Sequence, residues 1–172
     1  MQAHEIRGIE LSQKELARYA RHLTLPEIGL TGQKQLKASS VLCIGSGGLG
    51  SAVLLYLAAA GVGRIGIVDS DLVEDSNLQR QVLHGMKWLA KPKTASARAR
   101  ILEINPYCQV DTFQTLLTKN NALEVIKNYD LVCDCTDNFP SRYLINDACV
   151  ILGKPNIHGS IARFEGQATV FN

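Results

Sequence analysis

The stretch from Val41 to Asp71, VLCIGSGGLGSAVLLYLAAAGVGRIGIVDSD, constrains the fold of this chain more than any other part of its sequence. It opens with Val41–Ile44, an apolar run without alternation, which predicts a strand buried on both faces of a parallel sheet. A glycine-rich turn, an apolar helix and a second strand, Ile65–Val68, follow in that order. This order predicts a βαβ unit that binds a nucleotide or a dinucleotide.

Three glycines fill the G-x-G-x-x-G frame of this unit, namely Gly45, Gly47 and Gly50. Their missing side chains allow a tight turn, a close approach of phosphate and close packing of helix on strand. The helix that starts there directs its free N–H groups and positive dipole end towards a bound anion, and Gly61 is expected to end it. Asp69, about 20 residues beyond the glycines, is placed to accept hydrogen bonds from ribose hydroxyls. The structural alternative is that these glycines serve only a turn.

Length and charge exclude several classes of protein. A chain of 172 residues is expected to form one domain, and its net charge of +2 is too small to indicate nucleic-acid or membrane binding. No apolar run approaches the ~20 residues that would span a bilayer, and the first ten residues, MQAHEIRGIE, do not resemble a signal peptide. We therefore expect a cytoplasmic protein.

The five cysteines form no C-x-x-C pair, so the sequence predicts no zinc site. Cys133 and Cys135 alternate along a predicted strand and should share one face. We interpret them as packed, reduced thiols.

An amphipathic helix is expected ahead of the βαβ unit. Ser12 and Glu15 form a capping box, apolar residues then recur at helical spacing, and Pro26 should end the helix. Residues 1–40 thus form an N-terminal helical segment, and residues 41–172 form the core.

The rest of the chain alternates between predicted strands and helices. Helices are expected from Pro92 to Ile104, from Asn121 to Lys127 and from Ser141, as the cap, to Gly153; strands are expected at 109–117, 129–136, 156–161 and 167–171. This alternation predicts a doubly wound, mostly parallel α/β sheet.

The carboxyl ends of parallel strands meet in one crevice, so the glycine turn, Asp69–Asp71 and the Asp137–Asn138 pair should lie together. Arg80 and Lys93 can neutralise phosphate oxygens there, and Asp137 can hold a magnesium ion. A nicotinamide-dependent dehydrogenase would use the glycines and Asp69 but has no obvious need for these charges. The pattern favours a nucleoside triphosphate.

Across the same residues the chain resembles the MoeB/ThiF/HesA family of adenylyltransferases, relatives of the ubiquitin-activating enzymes. The resemblance runs from about Leu16 to the last residue and is carried by RYARHLTLPEIGLTGQKQL, GSGGLGS, DLVEDSNLQRQVLH, KPK, NP, CTDNFPSRYLINDACV and RFEGQATVF.

The resemblance implies a Rossmann-like, ThiF-type fold and ATP-dependent adenylation of the C-terminal carboxylate of a ubiquitin-like sulfur-carrier protein, with release of pyrophosphate. It places Gly48 on the nucleotide, Asp69 on the ribose and Asp137 on magnesium. The remaining implied nucleotide contacts are Ser76, Asn77, Leu78, Gln79, Arg80, Lys93 and Asn138. Arg21 matches an arginine that reaches into the partner subunit's active site, which implies a homodimer.

The chain also departs from the family. Members continue past this length with zinc-binding cysteine pairs that have no counterpart here, so we expect either a fragment or a natural short form. Ala90 stands where the family commonly has glycine, which can shift Lys93. Two other functions stay open: a non-catalytic nucleotide-binding or dimerisation partner, and an NAD-dependent oxidoreductase.

Overall fold

A six-stranded sheet runs through residues 6 and 8–172, the part of the chain that the computed structural model describes. Its strands are β1 (Ser40–Ile44), β2 (Arg64–Val68), β3 (Gln109–Phe113), β4 (Leu131–Asp134), β5 (Asn156–Ala162) and β6 (Glu165–Phe171). Their order is β3-β2-β1-β4-β5-β6, parallel except for the antiparallel pairing of β5 with β6. The predicted doubly wound, mostly parallel sheet is confirmed.

Helices cover the sheet on both faces. They are α1 (Gln13–Arg18), α2 (Ala20–Leu23), α3 (Gly29–Ala38), α4 (Gly48–Ala60), α5 (Lys93–Ile104), α6 (Ala122–Ile126) and α7 (Phe139–Leu152). One core cluster joins α4 and α5 to alternate residues of β1 and β2, and a second joins α6 and α7 to the intervening residues. Strand β1 thus places Val41 and Cys43 in one core and Leu42 and Ile44 in the other, as its unbroken apolar run predicts.

The N-terminal helical segment differs in detail from the single helix expected. The Ser12–Glu15 capping box is present, but the helix breaks at Tyr19 into α1 and α2. Tyr19 is buried, and its hydroxyl accepts a hydrogen bond of 2.8 Å from Asn105 Nδ2. Helix α3, which the sequence pattern did not predict, follows Pro26 and buries Gln33 against the end of α4, where its Nε2 donates to the carbonyl of Ala60.

Two local predictions were wrong. Leucines and alanines on almost every side of helix α4 predict a helix that is buried nearly all round, yet it buries one stripe and leaves Tyr56 77% exposed, because only one side faces the sheet. Asn138, not Ser141, caps α7: the Asn138 side chain accepts from the backbone N–H of Ser141, and Pro140 lies in the first helical turn, which proline tolerates.

No helix among residues 6 and 8–172 is long and apolar enough to cross a membrane. The prediction about a signal peptide concerns a stretch of which residues 1–5 and 7 lie outside the described part of the chain.

Candidate nucleotide-binding site

The glycine turn between β1 and α4 has the tight geometry that its sequence predicts. Gly45 has a φ of +92°, and a Cβ built there would lie 2.9 Å from the Cys135 carbonyl oxygen. A Cβ on Gly50 would collide with the carbonyl of Gly45. Gly47 is the N-cap of α4 and provides no capping side chain, so the first N–H groups of the helix are available to a ligand.

A cavity of about 660 Å³ opens in front of this turn, at the carboxyl ends of β1, β2 and β4. It brings together most of the predicted site residues: Gly45, Gly47, Gly48, Asp69, Asn77, Arg80, Lys93, Asp137 and Asn138. Five others do not line it: Arg21, Gly50, Ser76, Leu78 and Gln79. Gly50 shapes the turn from behind.

Asp69 is fixed in place by the glycine turn. Its Oδ2 accepts from the backbone N–H and the hydroxyl of Ser46, both at 2.8 Å, and its Oδ1 accepts from the Asp71 backbone N–H at 2.9 Å. A carboxylate offers about four acceptor positions, so these three bonds leave about one for a ligand such as a ribose hydroxyl. The carboxylate is therefore oriented before any ligand arrives.

Lys93 begins α5 and is buried in the cavity wall with 5% of its surface exposed. Its Nζ donates to Asp71 Oδ2 at 2.8 Å, and its backbone N–H donates to the Asp71 carbonyl. An ammonium group has three donors, so two stay available for phosphate oxygens. Ala90, three residues before it, has a φ of +58°, a conformation that glycine adopts more readily.

The polar loop after β2 directs only some of its side chains at the cavity. A 3₁₀ turn spans Asp75–Asn77, and its last residue, Asn77, lines the cavity together with Arg80 and Gln81. Asn77 Oδ1 accepts from Gln81 Nε2 at 2.9 Å and from Arg80 Nη2 at 3.4 Å. Sequence reasoning named Gln79 and missed Gln81, although spacings of three and four residues would have selected Arg80 and Gln81 together with Asn77.

The loop after β4 brings a carboxylate and an unpredicted cation to the cavity. Asp137 is exposed, and its Oδ1 accepts from Asn138 Nδ2 at 3.4 Å. Arg142, one helical turn past Asn138, also lines the cavity and donates from Nη2 to the Thr136 carbonyl at 3.2 Å. Its buried Nε has no hydrogen-bond partner among residues 6 and 8–172. The four-residue spacing from Asn138 was the available sequence signal.

Within the described residues, no group of three or more His, Cys, Asp and Glu side chains could hold a metal ion by itself.

All five cysteines are free, and Cys43 Sγ lies 3.7 Å from Cys135 Sγ behind the glycine turn. Burial raises the pKa of Cys133 to about 12, which keeps that thiol protonated.

Comparison with known proteins identifies the family to which this fold belongs. The model of the ThiF family matches residues 19–172, which include every element from α2 to β6. The chain belongs to the ThiF family.

Two relatives of this ThiF-family chain are named as adenylyltransferases. It is 57% identical to the probable adenylyltransferase/sulfurtransferase MoeZ of Mycobacterium tuberculosis, over 94% of the chain and 41% of MoeZ. It is 50% identical to the sulfur carrier protein adenylyltransferase of Thermus thermophilus, over 94% of the chain and 59% of that protein. The solved structure of E. coli MccB with AMPCPP and MccA superimposes with a TM-score of 0.74 at 28% identity, over 83% of the chain and 44% of MccB.

The chain thus spans less than half the length of MoeZ and about three-fifths of the Thermus protein. What the complete relatives catalyse is assigned to this chain only as a proposal.

Proposed function

We propose that this chain is the nucleotide-binding part of an enzyme that adenylates the C-terminal carboxylate of a ubiquitin-like sulfur-carrier protein and releases pyrophosphate. The observation that carries the proposal is the single cavity in which Arg80, Lys93 and Asp137 face the glycine turn and the start of α4. The names of MoeZ and of the Thermus protein support the reaction and the carrier class.

The residues suit a reaction that needs no general base. The carrier's carboxylate is ionised at neutral pH, so one of its oxygens can attack the α-phosphorus of ATP directly. The bond from the α-phosphorus to the bridging oxygen breaks, and pyrophosphate leaves with the electron pair. Arg80 and Lys93 oppose the charge that accumulates on the leaving group, while the N–H groups at the start of α4 hold the phosphates in line.

Asp137 is the residue that we assign to a magnesium ion. Magnesium is commonly bound through one or two carboxylates together with substrate phosphates and water, so one exposed carboxylate at the cavity fits it. When bound, the ion would neutralise charge on the phosphate oxygens. Asn138, which also lines the cavity, is proposed as a neighbouring nucleotide contact, as are the loop residues Ser76, Leu78 and Gln79, by resemblance alone.

Arg21 supports a homodimeric form of the enzyme. It is exposed on α2 and does not line the cavity of its own chain, as expected for a side chain that serves the partner subunit's site. We further propose that the enzyme acts in the cytoplasm, where ATP and protein carriers are available.

The test uses purified sulfur carriers with free C-termini. We expect the protein to bind ATP with magnesium more tightly than NAD, and to exchange labelled pyrophosphate into ATP only when a carrier with an intact C-terminus is present. A carrier lacking its last residue is the control. Tighter binding of NAD would indicate an oxidoreductase. Binding of ATP without exchange in the presence of any carrier would indicate a non-catalytic nucleotide-binding partner.

A further inference from the structure

A buried histidine lies directly behind the glycine turn. His84, at the end of the polar loop, is 8% exposed and does not line the nucleotide cavity. Its ring Nε2 is 2.9 Å from the Ser46 carbonyl oxygen, and its Nδ1 is 3.0 Å from the hydroxyl of Ser96 on α5. The imidazole therefore bridges the glycine turn and α5.

These two partners decide which ring nitrogen carries the proton. A carbonyl oxygen can only accept, so Nε2 is the donor to Ser46, and the Ser96 hydroxyl donates to Nδ1. Burial lowers the pKa of His84 below its usual 6.5, which is consistent with a neutral ring at pH 7.

Ser46 is the residue through which this contact reaches the nucleotide site. It is completely buried, and its backbone N–H and hydroxyl both donate to Asp69 Oδ2. Asp69 in turn accepts from the Asp71 N–H, and Asp71 pairs with Lys93 on α5. These contacts thus form a continuous chain from Ser96 to Lys93, and both of these residues lie on α5.

We propose that His84 is a positioning residue for nucleotide binding: its Nε2–H holds the Ser46 peptide, and Ser46 then fixes the glycine turn and the Asp69 carboxylate. The inference rests on the proposed function, because it takes ATP as the ligand. Without the donor, the Ser46 carbonyl must turn towards water, and the turn populates conformations that cannot bind phosphate. The apparent dissociation constant then rises by the inverse of the competent fraction.

Two conservative replacements separate this role from simple packing. A glutamine amide can place its Nε2 near the position of the imidazole Nε2, whereas an asparagine amide reaches only the position of Nδ1. His84→Gln therefore keeps the donor to Ser46, and His84→Asn keeps a partner for Ser96 instead. Asparagine is also one methylene shorter than glutamine, so His84→Met, which matches glutamine in length but has no donor, is the packing control. A packing role alone predicts equal losses for the Gln and Met variants, whereas the proposed role predicts the larger loss for Met.

The experiment measures the dissociation constant of ATP with magnesium by calorimetry, alongside thermal unfolding. We expect about a tenfold weaker affinity for His84→Asn, as for the loss of one buried hydrogen bond, and less than threefold for His84→Gln and Ser96→Ala. His22→Ala, which removes the hydrogen bond to Gln33 and concerns a residue that does not line the cavity, is the control for lowered stability without weaker binding. Equal affinities for the Asn and Gln variants would overturn the inference. Failure of the wild-type protein to bind ATP would instead refute the proposed function.

A measurement on the wild-type protein does not depend on the folding of any variant. Nitrogen-15 chemical shifts of the His84 ring should report the Nε2–H form, and ATP should slow exchange of that proton, since a turn that holds phosphate opens less often. The Nδ1–H form, or an exchange rate that ATP leaves unchanged, would overturn the inference.

Discussion

The two ends of strand β2 carry polar groups with different consequences. At its first residue, Arg64 Nε donates to Asp111 Oδ2 at 2.7 Å, and the same oxygen accepts from the Tyr129 hydroxyl at 2.9 Å. Beyond its last residue, Asp69 leads into a cavity where Arg80 and Asp137 are exposed and bonded to neutral side chains of their own loops. Charges that satisfy one another stabilise the fold, and charges left facing a cavity are available to a ligand.

The largest predicted effect is a loss of catalytic rate when a cation is removed from the cavity. Removing one pre-placed cation typically costs ~2.7–4 kcal/mol of transition-state stabilisation, or about 10²–10³ in rate. We expect Arg80→Ala and Lys93→Ala each to lose that much in ATP–pyrophosphate exchange. Lys91→Ala, which removes an exposed lysine that does not line the cavity, is the matched control. Exchange near the wild-type rate in both cavity variants would refute their assigned roles.

The next effect concerns Tyr129, whose hydroxyl bonds to Asp111 beside the first residue of β2 and whose ring covers Gly66 in the middle of that strand. Gly66 lies against Tyr129, and an added Cβ would collide with the tyrosine ring and lie 2.7 Å from Leu42 Cδ1. Gly66→Ala should lower the free energy of unfolding by about 1–3 kcal/mol, the usual cost of overpacking, without weakening ATP binding. Urea unfolding measures this, with Gly85→Ala, where a Cβ meets nothing within 4 Å, as the control. A large loss of ATP affinity in Gly66→Ala would contradict the separation of the two ends.

Acid should lower the stability of the folded protein by protonating His84. Burial lowers its pKa, the Ser46 carbonyl opposes that shift, nearby Lys93 lowers the pKa further and Asp69 raises it. The unfolded chain therefore binds a proton near pH 6.5 that the folded chain binds only at lower pH, so this stabilising contribution is present above pH 6.5 and is lost as the pH falls. The slope from one group is at most about 1.4 kcal/mol per pH unit. Urea unfolding at pH 7.5 and 5.5 should show a smaller loss for His84→Gln than for wild type; an equal loss would count against this assignment.

The smallest effect tests the strained residue beside Lys93. Ala90 adopts a positive φ, which costs an alanine about 1–2 kcal/mol, whereas glycine gives back about 0.4–1 kcal/mol through its freer unfolded chain. Ala90→Gly should raise the free energy of unfolding by up to about 1.6 kcal/mol. Thermal unfolding measures the change, and a decrease in stability would show that the turn gains nothing from glycine.

The centre of the sheet was predictable from sequence because β1, β2 and β4 are short, largely apolar runs bounded by turn residues. Val41–Ile44 and the glycines that follow determine β1, the turn and the start of α4 with little dependence on the rest of the chain. Two glycines that end helices in the left-handed conformation were equally predictable: Gly61 ends α4, and Gly153 ends α7.

Features that depend on tertiary contacts were not predictable. Helix α3 has a weak apolar pattern, and its buried Gln33 hydrogen-bonds to His22 and to the carbonyl of Ala60. At the site, Gln81 and Arg142 were missed because their roles come from the direction of a turn and of a helix face rather than from a motif. The break at Tyr19 likewise follows from its contact with Asn105, a residue distant in sequence.

The central claim is that cations at this cavity bind the phosphate tail of ATP. Its most direct test compares the affinities of ATP and AMP, each with magnesium, for the wild-type protein, Arg80→Ala and Lys93→Ala. We predict that wild type prefers ATP, and that both variants lose this preference while binding AMP almost as the wild type does. Equal affinity of the wild-type protein for the two nucleotides, or variants that keep the full preference for ATP, would contradict the account.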